Sequence, residues 1–112
     1  MHEYSLVSSM VSRVESEARA RQAVAVHRLA VRIGALSGVE PELFASAFTL
    51  VRQGLLADTV LDIRRAEASW ACPRCGAAVT SGGELRCAGC AVPAKLVSGD
   101  EILLEQIEME VP

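Results

Sequence analysis

Two Cys-x-x-Cys pairs, Cys72-Pro73-Arg74-Cys75 and Cys87-Ala88-Gly89-Cys90, stand eleven residues apart and constrain this chain more than any other feature. Gly76 follows the first pair and Gly89 lies inside the second, which suits two tight knuckles presenting four thiolates tetrahedrally to one ion. Zinc is the default occupant of such a site, and a site with every position filled by protein is structural. Soft sulfur ligands also admit iron, but an iron–sulfur cluster would normally bring redox work that nothing else in the sequence supports. Disulfides, or a thiol redox pair, are the remaining reading of the four cysteines. The absence of an apolar signal peptide ahead of the fold weakens it.

At 112 residues the chain holds one ordinary domain, or a small core carrying a smaller module. A hydrophobic fraction of 51% predicts a folded protein. The apolar runs are short and interrupted by charge, which predicts no membrane span and a cytoplasmic location. The formal net charge is −3 with neutral thiols. Four thiolates holding one Zn²⁺ would add two further negative charges. Such a balance disfavours nucleic acid as a partner, and Arg64, Arg65, Arg74, Arg86 and Lys95 are scattered rather than gathered into a basic stripe.

Hydrophobic periodicity orders the rest. From Ser5 to about Arg21, Leu6, Met10 and Val14, together with Val7, Val11 and Ala18, recur at helical spacing opposite a polar side. Ser5 or Glu3 as the cap places Met1 and His2 just outside this helix. Val24 to Ile33 alternates as a strand, ended by Gly34 and Gly38. Pro41 opens a second helix with the stripe Phe44, Phe48, Val51 and Leu55, reinforced by Leu43, Ala47 and Leu50, and Gly54 lies near its end. Val60 to Arg65 is a second strand. Ile107, Met109 and Val111 belong to a last strand; Ile102 and Leu104 have the opposite parity, which predicts a bulge before Ile107 and a strand long enough to serve two modules.

The expected fold is α/β: a small three-stranded sheet with two helices on one face, plus an inserted zinc-ribbon-like module built on the four cysteines. Residues 1–66 together with 100–112 form the α/β domain, and 67–99 form the insert. Trp70, Val79, Leu85 and Leu96 can supply the insert with only a small apolar cluster, so zinc must cross-link it. Thr80 to Glu84, with Gly82-Gly83, reads as the turn between the knuckles.

No Ser-His-acid or Cys-His-acid arrangement is specified, so the chain does not read as an enzyme. Glu101, Glu105, Glu108 and Glu110 read as solvated strand positions, and His27 as a structural or surface residue. His2 is different. Its bulk should keep Met1 in place, and the Met1 amine, the His2 amide nitrogen and the His2 imidazole can then form adjacent chelate rings. The Glu3 amide completes four nitrogens in a plane, a field suited to Ni(II) or Cu(II). An ordinary exposed terminal histidine is the alternative.

Met1-His2-Glu3-Tyr4-Ser5-Leu6, the segment Arg32 to Glu42 (RIGALSGVEPE), the two cysteine pairs, and Gly99-Asp100-Glu101 followed by Ile107-Glu108 resemble the HypA/HybF family of hydrogenase nickel-incorporation proteins, in order and over nearly the whole chain. The resemblance implies a metallochaperone with structural zinc on Cys72, Cys75, Cys87 and Cys90. It also implies transferable Ni(II) at Met1, His2 and Glu3. The implied partners are a nickel-linked GTPase maturation factor and the nickel–iron hydrogenase large subunit precursor, with urease maturation proteins as a second set of clients. A zinc-ribbon interaction module without metal transfer is the competing reading, and a nucleic-acid zinc ribbon is disfavoured by charge.

Overall fold

The computed structural model describes residues 2–80 and 83–112. Along the chain run α1 (His2–Ala20), β1 (Ala25–Gly34), α2 (Pro41–Val51), a short 3-10 turn (Gly54–Leu56), β2 (Val60–Ala66), β3 (Ser69–Ala71), β4 (Ala78–Val79), β5 (Lys95–Ser98) and β6 (Ile102–Glu110). They form two three-stranded sheets with orders β2-β1-β6 and β4-β3-β5. Met1, one of the expected nickel ligands, lies outside the described residues, as do Ser81 and Gly82 of the expected turn.

In the first sheet β1 is central, parallel to β2 and antiparallel to β6. Its Leu29, Val31 and Ile33 point to one face. Both helices pack there, with Val7, Val11, Val14 and Ala18 from α1 and Phe44, Ala47 and Phe48 from α2 closing a single core over the sheet. The α1 positions repeat at i, i+4, i+7 and i+11, which keeps them on one side of a 3.6-residue helix. Thr59 is buried beside this core because its hydroxyl donates to the Val26 carbonyl at 2.6 Å. On the opposite face Arg28 pairs with Asp62 and Glu108, and Arg64 with Glu105, so the strand glutamates are wet but matched.

Several expectations need correction. The first helix begins at His2 rather than near Ser5, with Glu3 inside its first turn. A carboxylate there complements the free amides and the positive end of the helix, so a separate cap ahead of Ser5 is not needed. Leu43 and Leu50 do not reinforce the α2 stripe; they are 53% and 77% exposed. At about 100° per residue they turn away from the arc that Phe44, Ala47 and Phe48 already fill. Helix α2 stops at Val51, and Leu55 packs on the core from the following 3-10 turn.

The bulge in the last strand is present. The β1–β6 register shifts between Ala30 and Val31, which face Gln106 and Leu104, leaving Glu105 extra. Ile102, Leu104, Ile107 and Met109 consequently all face the core despite their opposite parity. The strand does not serve both sheets, however. Gly99, at φ 111, ends β5 before β6 begins, so β5 belongs to the second sheet and β6 to the first.

The second sheet centres on β3, a strand the alternation pattern did not reveal. Trp70 faces Val79 on β4 and Leu96 on β5, while Leu85 stays at the surface. The sheets are joined where two crossings of the chain close around the end of β1. Gly34 N donates to Glu101 O at 2.9 Å, Ala35 N to Ala66 O at 2.7 Å and Leu36 N to Gly99 O at 2.7 Å. The backbones approach so closely that a Cβ on Gly34 would overlap Gly99 O, and one on Gly99 would lie 2.5 Å from Ala68 Cα.

Candidate metal centre

Two local folds of the same form present the cysteines. In the first, Cys72 N donates to Ala77 O and Gly76 N to Cys72 O; in the second, Cys87 N donates to Val92 O and Ala91 N to Cys87 O. Each loop turns back through a residue with positive φ, Gly76 at 77° and Ala91 at 56°. The equivalent left-handed position in the second knuckle is therefore Ala91. Gly89, which the sequence suggested as the turn-former there, is not among the glycines with positive φ and has open space around its missing Cβ.

The knuckles also aim backbone amides at sulfur. Arg74 N and Cys75 N point at Cys72 Sγ at 3.4 and 3.5 Å, and Cys90 N at Cys87 Sγ at 3.5 Å. All four Sγ atoms lie within 4.8 Å of one another, and Cys75 Sγ and Cys87 Sγ are 3.8 Å apart. A tetrahedral zinc site with bonds of about 2.3 Å sets its sulfurs about 3.8 Å apart, so the donor set and its spacing fit one such ion. The four cysteines are free. The 3.8 Å approach is well beyond a disulfide bond of about 2.05 Å. Cys72 and Cys87 are buried, Cys90 is partly buried and Cys75 is exposed.

Electrostatics prepare the cluster unequally. The backbone amide of Cys75, followed by that of Arg74, lowers the Cys72 thiol to about 6, whereas the neighbouring Cys75 and Cys72 sulfurs push Cys90 up to about 12. Four adjacent thiolates cannot coexist without a cation. A divalent ion that binds here displaces protons, that of Cys90 above all, and its affinity weakens as pH falls.

The amino-terminal residues form no part of this cluster. Among the described residues the only group of three or more potential metal-ligating side chains is the four cysteines. His2 is exposed in the first turn of α1, and beside it the Glu3 carboxylate accepts from Glu40 N at 3.4 Å. That carboxylate is held below its ordinary range, first by its own backbone amide and then by that of Glu40. The contact joins the start of α1 to the entry of α2. Sequence reasoning placed the start of α2 at Pro41 but that of α1 near Ser5, and it did not reveal their adjacency, which only the packing of α1 on α2 creates. His27 pairs with Glu110 at 2.9 Å, an exposed contact consistent with a surface role.

Two helices on a three-stranded sheet, joined to a small sheet bearing a four-cysteine metal-binding group, define the class of structure. The chain belongs to the hydrogenase/urease nickel-incorporation metallochaperone family, whose family model matches residues 1–109. It is 34% identical over 117 residues to the hydrogenase maturation factor HypA of Aquifex aeolicus, covering 99% of each chain. It is 35% identical over 114 residues to that of Wolinella succinogenes, covering 98% of this chain and 96% of the relative. The fold is similar to the solution structure of the Ni metallochaperone HypA from Helicobacter pylori, with TM-score 0.73, 30% identity and 98% coverage of both chains. A second HypA solution structure gives a TM-score of 0.83 at 31% identity, covering 100% of this chain and 98% of the other.

Proposed function

We propose that the chain carries Ni(II) on its amino-terminal nitrogens and delivers it for maturation of the nickel–iron hydrogenase large subunit, without itself catalysing a reaction. Met1, His2 and Glu3 hold the transferable ion. Cys72, Cys75, Cys87 and Cys90 hold structural zinc. Residues 1–66 with 100–112 act as the nickel-binding part and 67–99 as the zinc-binding insert. The working site is the cytoplasm, and the partners are a nickel-linked GTPase maturation factor and the hydrogenase precursor, with urease maturation proteins as further clients.

The observation that carries this reading is the exposed His2 in the first turn of α1 in a member of a nickel-incorporation family. The first four amides of a helix have no intrahelical acceptor, so the His2 and Glu3 nitrogens can bind a metal without breaking a helical hydrogen bond. Their deprotonation supplies two negative charges that offset the Ni(II) charge beside the positive helix end. Tetragonal nitrogen ligation suits nickel, whereas a closed tetrahedral thiolate set suits zinc; the two ions are therefore sorted by donor type and geometry. The exposed His2 lets a partner's ligands approach the nickel, while four protein ligands keep the zinc in place.

The test is nickel loading of hydrogenase in cells grown at limiting nickel. His2→Ala should lower it about as far as deletion of the whole chain while leaving the zinc content of the purified variant at one equivalent. Wild-type nickel loading with His2→Ala would overturn the assignment.

A further inference from the structure

The first sheet has a free edge. In the order β2-β1-β6, the nine-residue β6 bonds to β1 on one side only, leaving its outward backbone groups without a strand partner among the described residues. A cleft of about 1110 Å³ runs beside it, walled by Arg13, Glu17 and Arg21 of α1. Every residue from Ile102 to Met109 lines this cleft. Side chains on a strand alternate between faces, so a cleft that touches consecutive residues of both parities follows the strand's edge, and it reaches in to β1 at His27.

The usual protections of an edge are incomplete here. Ile102 to Glu110 contains no proline and no lysine; its own extra residue is Glu105, and the second register shift of the ladder, opposite Glu108 and Met109, has its extra residue, His27, on β1, away from the free edge. Ile107 and Met109 are only half-buried although they face the core, because α1 does not fully cover this side of the sheet. Glu108 and Glu110, on the other face, pair with Arg28 and His27 of β1 yet keep side chains 48% and 58% exposed. Residues 100–112 include five acidic side chains and no basic one.

We propose that the β6 edge is a docking site for an extended segment of another protein in which apolar and basic residues alternate. The segment adds to the sheet as a fourth strand. Main-chain hydrogen bonds to β6 supply its registration, and its apolar residues continue the half-covered row of Ile107 and Met109 beneath α1. Its basic residues lie on the open face across from Glu108 and Glu110, where directly opposed charges of opposite sign stabilise a strand pair and like charges oppose it. The same charge rule disfavours a second copy of this chain, whose own β6 would set glutamates near glutamates. This inference is independent of which metal the protein carries.

A nine-residue peptide alternating lysine and valine, titrated into the isotopically labelled, zinc-loaded full chain, tests the site. The expected result is saturable binding with shifts and slowed amide exchange along β6. Glutamate in place of lysine should weaken binding about tenfold or more. Glu110→Lys, which exchanges only an exposed contact to His27, should narrow or reverse that preference. Four results would overturn the proposal: no saturable binding at millimolar peptide, exchange protection away from β6, equal binding of the two peptides, or a β6-paired dimer of the free protein.

Discussion

The two sheets solve the same problem with different materials. The β2-β1-β6 sheet is closed by large apolar side chains, with Leu29, Val7, Val14 and Leu56 at 0% exposure and Phe44 and Phe48 at 1% and 2%. Among the described residues, the module around the β4-β3-β5 sheet contributes only Cys72 and Cys87 to the buried hydrophobic residues, while Trp70, Val79 and Leu96 remain half-exposed. A core of the first kind stands on solvent exclusion, and a module of the second kind needs a cross-link. On the proposed function, metal therefore matters to the two regions in opposite ways: structural to one, cargo for the terminus of the other.

The largest expected effect breaks the comparison at the zinc. Cys90→Ala removes one ligand of four, and metal-linked folding energy in small zinc modules is on the order of 10 kcal/mol. Zinc content should fall from one equivalent toward none, and exchange protection should disappear from β3, β4 and β5 but persist in β1, α1 and α2. Retention of tightly bound zinc in this variant would reject the four-cysteine centre. The reciprocal change is Phe48→Ala, which should lower core stability by about 3–5 kcal/mol in a urea titration that follows the helices. If the core were as thinly packed as the module, the loss would be under about 1 kcal/mol.

Gly99→Ala addresses the junction. Its φ of 111° and the 2.5 Å approach to Ala68 Cα leave no place for a side chain, so about 1–3 kcal/mol should be lost, with amide shifts in both sheets. Shifts confined to one sheet would show that the crossings do not join the regions mechanically. The smallest effect is a gain. Ala91→Gly relieves a left-handed alanine and should stabilise the second knuckle by about 1 kcal/mol, read as slower zinc loss to a chelator; no change or faster loss would refute the strain assigned to Ala91.

What could be read in advance follows the same division. Helix α1, strands β1 and β2 and the bulged β6 were legible because their apolar residues recur at a helical or strand period against a large core. The four cysteines were legible because spacing alone specifies two knuckles. Strand β3 was not, since Ser69-Trp70-Ala71 is too short to show alternation and is stabilised by neighbours brought in from residues 78–79 and 95–98. Leu43 and Leu50 were misplaced because an apolar residue next to a stripe does not announce that the stripe is already full. Gly89 was read as suiting a tight knuckle, whereas the repeated hydrogen-bond pattern of the knuckles puts the left-handed residue at Ala91. The contact of Glu3 with Glu40 was hidden because it depends on how two helices meet.

The central claim is that nickel is held by the terminal amine and the His2 and Glu3 nitrogens, apart from the zinc. Calorimetric titration of nickel into zinc-loaded protein, with the amino terminus of Met1 either free or cleanly acetylated, tests it most directly. The free form should bind one equivalent of nickel while retaining its zinc, and the acetylated form, with every side chain unchanged, should lose high-affinity binding. Undiminished nickel affinity after acetylation would contradict the site and direct attention to a side-chain cluster instead.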